Sequence, residues 1–148
     1  MILRKLIFAL LTVGAGAVHA SGQAIYWETN VYSAYREAVA FHKPLVVYFH
    51  EDNCQWCSRL DSELNLPVTG ASIANAAVFV RVDPAHDDDA NNVYKLVKQL
   101  DIKRYPTVVV LDVAPAAITE RGRVNGYFPR DEFMRQLTRW VLSGSGSK

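Results

Sequence analysis

The stretch Leu45–Leu64 reads LVVYFHEDNCQWCSRLDSEL, and it decides the fold of this chain of 148 residues. Its first five residues are apolar, β-branched or aromatic without polar alternation, which predicts a central strand buried on both faces. After Cys54, the spacing of Leu60 and Leu64 predicts an amphipathic helix. The chain has two cysteines, and both therefore lie where a strand is followed by a helix.

This position of the cysteine pair favours redox chemistry. The first turn of a helix has unpaired N–H groups and the positive end of the macrodipole, and both stabilise a thiolate. A free cysteine titrates near about 8.5, whereas within Cys-x-x-Cys at a helix start the value falls to roughly 3.5–7.5. We therefore expect Cys54 to be the nucleophile and Cys57, one turn later, to resolve the mixed disulfide.

Three other roles for the pair remain as alternatives. A structural disulfide over this short spacing would remove little entropy from the unfolded chain. A zinc site would need two further ligands, and there is no second cysteine pair to supply them. Attachment of c-type haem requires a histidine after the second cysteine, where Ser58 stands. We accordingly predict neither a cofactor nor a metal.

Residues 1–20 have the pattern of an export signal. Arg4 and Lys5 precede an apolar run over Leu6–Val18, which is short for a membrane-spanning helix. The triplet Val18–Ala20 places small residues at the expected cleavage positions. We therefore predict a signal peptide over 1–20 and a periplasmic location, with an uncleaved N-terminal anchor as the alternative.

The remainder is expected to form one domain over 21–142, followed by a flexible Ser/Gly tail over 143–148. The formal net charge of +1 gives no basic excess, so we expect no nucleic-acid partner. In an oxidising compartment an exposed pair rests as a disulfide, so a reductive role implies a membrane or periplasmic electron donor. The sequence does not indicate an oligomeric state.

Hydrophobic periodicity and helix-breaking residues predict the other elements. Ile25–Trp27 is either a short edge strand or an apolar lead-in, and Asn53 is expected to cap the helix that follows it. Ala117–Arg121 and Val124–Tyr127 are expected to be arms of a bent or bulged antiparallel strand. The remaining predictions are a helix from a cap at Thr29 or Asn30 to about Phe41, a helix from near Cys54 to about Asn65, a strand over Val78–Val82, a helix over about Asp89–Leu100, a strand over Val108–Leu111 and a helix over Arg130–Leu142.

Three aspartates, Asp87, Asp88 and Asp89, lie at the start of the predicted third helix. Carboxylates at a helix N-terminus interact favourably with the macrodipole. Their spacing is not that of an EF-hand loop, so we interpret them as a solvated helix start, with metal binding as the weaker alternative.

The sequence resembles the thioredoxin superfamily over about Tyr26 to Leu142. It looks most similar to the branch related to periplasmic disulfide reductases, on the basis of Trp27, Ala38, the Lys43-Pro44 pair and the Cys-x-Trp-Cys core. The resemblance implies an α/β thioredoxin fold, with a central mixed sheet flanked by helices on both faces. The residues that carry the resemblance are the strand Leu45–Phe49, the motif Cys54–Cys57, the strand end Val82-Asp83, Tyr105-Pro106-Thr107 and Gly126.

The resemblance also implies three substrate-binding residues. It implies a cis bond before Pro106, next to the cysteines, where the free backbone of Tyr105 can pair with an extended substrate. A trans proline that merely opens a strand is the alternative. Trp56 offers an aromatic surface for docking, or else it packs over the disulfide.

This chain departs from thioredoxin at three places, one of which is the bulky Tyr105 before the expected cis-proline, a residue that should affect which partners fit. Thioredoxin has a buried aspartate six residues before its first cysteine, which helps to move protons, and Tyr48 stands there. His50, Glu51 and Asp52 are the nearest titratable candidates for that task, or else they are solvated loop residues. Thioredoxin has Gly-Pro between its cysteines, and the Gln55–Trp56 pair here leaves the redox potential open.

These observations predict a periplasmic thiol–disulfide oxidoreductase that acts through Cys54 and Cys57 on protein disulfides. The resemblance favours a reductase, since the residues alone do not select a direction. A disulfide oxidase or isomerase is the first alternative. The second is a non-catalytic module that uses the fold and Tyr105-Pro106 to bind a partner.

Overall fold

The computed structural model describes residues 25–65 and 73–144, which form a four-stranded sheet with two helices on each face. The predicted signal peptide over 1–20 and the tail beyond residue 144 lie outside the described residues. In chain order the elements are α1 (Val31–Phe41), β1 (Leu45–Phe49), α2 (Gln55–Leu64), β2 (Val78–Val82), α3 (Ala90–Gln99), β3 (Thr107–Ala114), β4 (Ala117–Asn125) and α4 (Arg130–Leu142).

Strand β1 lies inside the sheet, whose order is β2-β1-β3-β4. It pairs parallel with β2 and antiparallel with β3, while β3 and β4 form an antiparallel hairpin. All five residues of Leu45–Phe49 are buried. The prediction of a central strand is confirmed, and burial on both faces explains why its sequence has no polar alternation.

The two faces of the sheet carry separate apolar cores. Helices α1 and α3 cover the face that includes Val47, and α2 and α4 cover the face that includes Val46. Successive residues of a strand point to opposite faces, so β1 contributes to both cores. The predicted α/β architecture, with helices on both faces of a mixed sheet, is confirmed.

Strand β4 is one bulged strand. Val110 pairs with Gly122 and Leu111 pairs with Glu120, which leaves Arg121 as an extra residue in β4. The expectation of a bulge is confirmed, although the strand ends at Asn125 and does not reach Tyr127. A bulge increases the local twist. Here the extra residue begins an Arg-Gly-Arg segment, whose Gly122 lies against Trp140 of α4.

The apolar segment Ile25–Trp27 does not form the edge strand that was one of its two predicted states. A single bridge joins Glu28 to Val80, with a hydrogen bond from the Glu28 N–H to the Phe79 carbonyl at 2.8 Å. Trp27 instead packs edge-on against Tyr48 and Phe79, at centroid separations of 5.7 and 5.4 Å. The segment is therefore an apolar lead-in, because side-chain packing rather than a ladder holds it.

Three loops meet at one end of the strands, beside the last residue of β1. The last residue of β1, Phe49, pairs with the first residue of β3, Thr107, and also with the last residue of β2, Val82. The loop to Cys54 therefore begins, and the segment Tyr105–Pro106 ends, at the same end of the strands. Within the described ranges, no helix has both the length and the hydrophobicity to cross a membrane.

Candidate functional site

The two cysteines form a disulfide at the N-terminus of α2. The sulfurs are 2.14 Å apart and the Cα atoms are 5.1 Å apart. Cys54 is the N-cap residue, and its Sγ accepts a hydrogen bond of 3.1 Å from the Cys57 N–H. The first turn of α2 therefore directs a backbone donor at the sulfur of Cys54, as the sequence predicted for a helix start.

The predicted cap, Asn53, was wrong. Asn53 adopts a left-handed conformation, with φ of 59°, and it turns the chain one residue before the helix. The cap position requires an extended residue whose side chain accepts from the second or third N–H of the helix. Cys54 has that extended backbone, and its sulfur supplies the acceptor.

The two sulfurs differ in their access to solvent. Cys54 is partly exposed, whereas Cys57 is buried with 2% of its surface exposed. A nucleophile must reach an external disulfide, while a resolving thiol needs to reach only its neighbour. The geometry therefore fits the predicted division of roles, and it differs from the sealed dithiol expected of a non-catalytic module.

The peptide bond between Tyr105 and Pro106 is cis. Pro106 is buried and its carbonyl accepts a hydrogen bond of 2.7 Å from the Gly126 N–H, while Tyr105 is partly exposed. Gly126 has φ of 90°, a conformation that a residue with a side chain rarely adopts. This loop lies at the same end of the strands as Cys54. The pairing of Tyr105 with a substrate stays a prediction.

Trp56 packs on another aromatic ring and leaves part of its surface exposed. Half of its surface is exposed, and its ring stacks on Tyr127 with a centroid separation of 5.3 Å and an interplanar angle of 25°. The guanidinium of Arg59 lies 4.7 Å from the Tyr127 centroid. The indole is thus held from one side and open on the other, and its contact with a substrate stays a prediction.

Tyr127 is a component of the site that the sequence did not indicate. Its hydroxyl donates a hydrogen bond of 2.6 Å to Glu63 Oε1, and this bond raises the pKa of Tyr127. The residue lies between β4 and α4, about seventy residues from Trp56 in the chain. No periodic pattern links two positions so far apart, so only the tertiary structure identifies the contact.

Tyr48 occupies the place where thioredoxin has its buried aspartate. Its ring is fully buried, and its hydroxyl donates to the Cys57 carbonyl at 3.3 Å. Burial, followed by the negative charge of Asp61, raises the pKa of Tyr48. Tyr48 is therefore a neutral hydroxyl group beneath the second cysteine at any physiological pH.

Two charged side chains complete this buried layer. Asp61 Oδ1 lies 3.0 Å from Arg81 Nη2, and both side chains are about one-quarter exposed, at 26% and 27%. The guanidinium of Arg81 also lies 5.5 Å from the centroid of Tyr48 and 5.8 Å from that of Trp27. Neither residue was predicted from the sequence, although Asp61 follows Cys57 by four positions and therefore shares its face of α2.

The three titratable residues predicted as proton helpers occupy different environments. His50 is half-buried, and burial together with the positive charge of Arg81 lowers its pKa. Glu51 and Asp52 are exposed, and Asp52 Oδ2 lies 3.5 Å from His86 Nδ1. The structure therefore does not bring these three residues together as one group under the cysteines.

His86 links the loop before Cys54 to the end of β2. Its Nδ1 lies 3.2 Å from Asp83 Oδ2 as well as 3.5 Å from Asp52 Oδ2. The hydrogen bond to Asp83 and the negative charges of both carboxylates raise the pKa of His86. The atoms of these three residues that could bind a metal ion lie within 4.8 Å of one another. The contacts of the imidazole with the two carboxylates account for this cluster.

The acidic start of α3 is as predicted in position. Asp89 is the N-cap residue, and its N–H donates 2.9 Å to Asp87 Oδ1. The Asp89 side chain makes no hydrogen bond to the backbone of the helix N-terminus, but its Oδ1 accepts a hydrogen bond of 2.9 Å from the Asn92 side-chain amide in the first turn.

A mixed sheet with a Cys-x-x-Cys disulfide at the start of a covering helix defines a thiol–disulfide oxidoreductase with the thioredoxin fold. The sequence model of a thioredoxin-like domain matches residues 31–139, which is well over half of the chain. The chain therefore belongs to the thioredoxin-like family. No curated protein matches the sequence significantly.

Solved structures show the same fold at low sequence identity. A thioredoxin from Thermus thermophilus is 23% identical, with 84% of this chain and 91% of that chain covered and a TM-score of 0.65. A DsbH oxidoreductase is 16% identical, with coverage of 90% and 94% and a TM-score of 0.63. The oxidised C-terminal domain of DsbD from Neisseria meningitidis is 22% identical, with coverage of 78% and 98% and a TM-score of 0.58.

Proposed function

We propose that this chain is a periplasmic reductase of protein disulfides. Its activity as a thiol–disulfide oxidoreductase follows from the family and the disulfide pair. The direction of electron flow and the compartment are the proposed parts. The observation that carries the proposal is the partly exposed Cys54 sulfur at the cap of α2, beside the buried Cys57.

The reaction uses the two sulfurs in sequence. The Cys54 thiolate attacks a substrate disulfide, forms a mixed disulfide and releases one substrate thiolate. Cys57 then attacks Cys54, and the bond between Cys54 and the substrate breaks with its electron pair on the second substrate thiolate. Two electrons have passed to the substrate, and the enzyme holds the Cys54–Cys57 disulfide.

Local charge supports the reductive direction. The residues between the cysteines, Gln55 and Trp56, are uncharged, so neither stabilises the reduced form as a cation would. Negative charge lies near the cis-proline loop, since burial and then the charges of Glu51 and Asp83 raise the pKa of Tyr105. Carboxylates near a thiolate favour the disulfide form, and a dithiol that is easily oxidised is a good reductant.

The redox potential of the pair tests the direction. The purified domain would be equilibrated with glutathione buffers, and the reduced fraction would be followed by alkylation of Cys54 and Cys57. We expect a reducing potential, in the range of thioredoxin at about −270 mV. A value near about −120 mV, at the strongly oxidising end of the scale, would instead support the oxidase alternative.

The export signal supports the proposed compartment. Arg4, Lys5 and the apolar run that follows them have the pattern of a secretory signal peptide, with cleavage expected after Ala20. Mass measurement of the protein recovered from a periplasmic extract would give a chain that begins at Ser21. Recovery of the full-length chain in the membrane fraction would support the anchor alternative.

A periplasmic reductase needs an electron donor and protein substrates. In an oxidising compartment the Cys54–Cys57 disulfide must be reduced again after each turnover, so we propose a membrane or periplasmic donor. Two structural neighbours are named as a DsbH oxidoreductase and as a DsbD C-terminal domain in the oxidised form. Partners trapped as mixed disulfides on a Cys57→Ser variant would identify both the substrates and the donor.

A further inference from the structure

The second step of the exchange requires a proton acceptor near Cys57. The thiolate rather than the thiol attacks a disulfide, so Cys57 must lose its proton before it can resolve the mixed disulfide. Cys57 is buried with 2% of its surface exposed, and burial disfavours the charged form of a thiol. Its own N–H is directed at the sulfur of Cys54 and not at its own sulfur.

We propose that the carboxylate of Asp61, held by Tyr48 and Arg81, takes up the proton of the Cys57 thiol during this step. The inference rests on the dithiol exchange and holds for either direction of electron flow. It assigns a proton acceptor to a chain in which a tyrosine, Tyr48, occupies the position of the thioredoxin aspartate.

The helix geometry places Asp61 next to Cys57. The two residues are four positions apart in α2, so their Cβ atoms lie on one face at a separation of about 5–6 Å. Side chains in a helix lean toward its N-terminus, which directs the Asp61 carboxylate back toward the turn of Cys57. A carboxylate at that separation reaches the thiol directly or through one water molecule.

The hydroxyl of Tyr48 fixes this arrangement from below. It donates its one proton to the Cys57 carbonyl at 3.3 Å, and it lies close enough to Asp61 for the negative charge of that carboxylate to raise the pKa of Tyr48. One buried hydroxyl thus lies beside both the residue that loses the proton and the residue that receives it. Tyr48 is a positioning residue, because its own proton stays on the oxygen.

The ion pair with Arg81 holds the acceptor carboxylate in place. Arg81 Nη2 lies 3.0 Å from Asp61 Oδ1, and that oxygen is buried with no aligned hydrogen-bond donor. An ionised carboxylate with a free acceptor position can take up a proton, whereas a protonated one cannot. Four groups face Asp61. Cys57 lies on the same helix, Tyr48 lies in β1, His50 directly follows β1, and Arg81 lies in β2.

Other carboxylates of the site are engaged elsewhere. Glu63 Oε1 accepts a hydrogen bond of 2.6 Å from the Tyr127 hydroxyl. The Asp52 side chain is 70% exposed and lies 3.5 Å from His86. Asp61 is the carboxylate that combines the face of Cys57 with partial burial.

The proposed step conserves atoms and charge. The S–H bond of Cys57 breaks, and the proton passes to the Asp61 carboxylate. The sulfur electron pair forms the Cys57–Cys54 bond, and the bond between Cys54 and the substrate sulfur breaks. The substrate leaves as a thiolate, which takes a proton from the Asp61 carboxylic acid or from solvent.

A two-phase thiol assay tests the proposal. Reduced protein would be mixed in a stopped-flow instrument with excess 5,5′-dithiobis(2-nitrobenzoate), which releases one coloured thiolate at each step. The first phase reports the attack by Cys54, and the second reports resolution by Cys57. Wild type, Asp61→Asn, Tyr48→Phe and the control Glu37→Gln would be compared from pH 5.5 to 9.5.

We expect Asp61→Asn to slow the second phase about 100-fold at pH 7, at the low end of what a positioned general base contributes. The first phase should stay within about twofold of the wild-type rate, which serves as the internal reference. The deficit should shrink as the pH rises toward 9.5, because hydroxide then removes the thiol proton without help. Glu37→Gln removes an exposed carboxylate on the opposite helical layer and should leave both phases unchanged.

The outcomes separate this inference from the proposed function. If Asp61 acted only as a nearby negative charge, its removal would make Cys57 ionise more easily and would speed the second phase. A faster second phase in Asp61→Asn would overturn the proposal, and so would an unchanged one. Should Asp61→Asn fail to fold, a slower second phase in Tyr48→Phe would support the proposal and an unchanged one would overturn it. Failure of the exchange itself would appear differently, as a wild-type protein without a second phase.

Discussion

The Cys57 N–H donates a hydrogen bond of 3.1 Å to the Cys54 sulfur, so the resolving cysteine helps to hold the nucleophile. This bond requires the cap position at Cys54 and a helical turn from Gln55 onward. It places a donor on the sulfur that must ionise first, because hydrogen bonds to the charged form favour that form. The spacing of the motif thus serves both the chemistry and the start of α2.

Substitution of each cysteine should separate the two steps. Cys54→Ser should abolish the reduction of insulin disulfides, since no nucleophile remains. Cys57→Ser should retain the attack and accumulate mixed disulfides, which a non-reducing gel detects as shifted bands. Equal residual turnover in both variants would contradict the assigned roles.

The cap at Cys54 should be measurable as stability of the reduced protein. Serine is a favoured N-cap residue and alanine is not, and loss of a cap costs about 0.5–2 kcal/mol. We therefore expect Cys54→Ala to unfold at lower urea concentration than Cys54→Ser when both are compared in the presence of reductant. Equal midpoints would mean that the sulfur does not cap α2 in the reduced state.

Removal of the Trp56 indole should weaken substrate binding more than the chemistry. Half of the indole is exposed beside the disulfide, and its inner face stacks on Tyr127. Trp56→Ala should raise KM for a folded protein substrate several-fold, while the rate with a small disulfide reagent changes little. Tyr127→Phe keeps the stack and removes the bond to Glu63, so it is the matched control. An equal loss with both kinds of substrate would contradict a docking role.

Local sequence patterns were sufficient for most of the fold. The run Leu45–Phe49 has no polar alternation, and that is what a strand with two neighbours and two covered faces requires. The apolar spacing over Arg130–Leu142 likewise determines α4, whose bounds are as predicted. These elements were predictable because each one satisfies its hydrogen bonds within itself or buries a continuous apolar pattern.

The parts that could not be predicted depend on contacts between distant segments. Arg81 reaches Asp61 from β2, and the residue type at position 81 alone gives no sign of it. The cap was assigned to Asn53 because amides are common caps, but the left-handed turn at that residue leaves the cap position to Cys54. Residue preferences describe one position at a time, whereas the site arises where the ends of β1, β2 and β3 meet.

Two histidines should give the protein opposite dependences on pH. Burial and Arg81 lower the pKa of His50, so the unfolded chain binds its proton more readily. Stability contributed at His50 is therefore complete above its unfolded value of about 6.5 and is lost as the pH falls below it. The raised pKa of His86 stabilises the fold below about 6.5, and that stabilisation is lost as the pH rises through its folded pKa.

Urea unfolding at a series of pH values would resolve these contributions. His50→Gln should reduce the loss of stability between pH 6.5 and 5, and His86→Gln should reduce the loss between pH 6.5 and 8. Asp52→Asn should weaken the second effect, since Asp52 pairs with His86, and should slightly enlarge the first, since the charge of Asp52 also acts to raise the pKa of His50. Identical pH profiles in wild type and His50→Gln would show that His50 is not desolvated.

The bulge of β4 predicts a steric limit at Gly122. A Cβ atom at this position would lie 2.3 Å from Cε2 of the Trp140 indole, so the ring would have to move. Overpacking of this kind costs about 1–3 kcal/mol, and we expect Gly122→Ala to lower the free energy of unfolding by that amount. The measurement is urea unfolding of the oxidised protein, with Trp140→Leu as the partner substitution. In the Trp140→Leu background the cost of Gly122→Ala should fall, because the substitutions share one contact and are not additive. An unchanged cost in that background would mean that backbone strain at the bulge, rather than the indole, excludes a side chain.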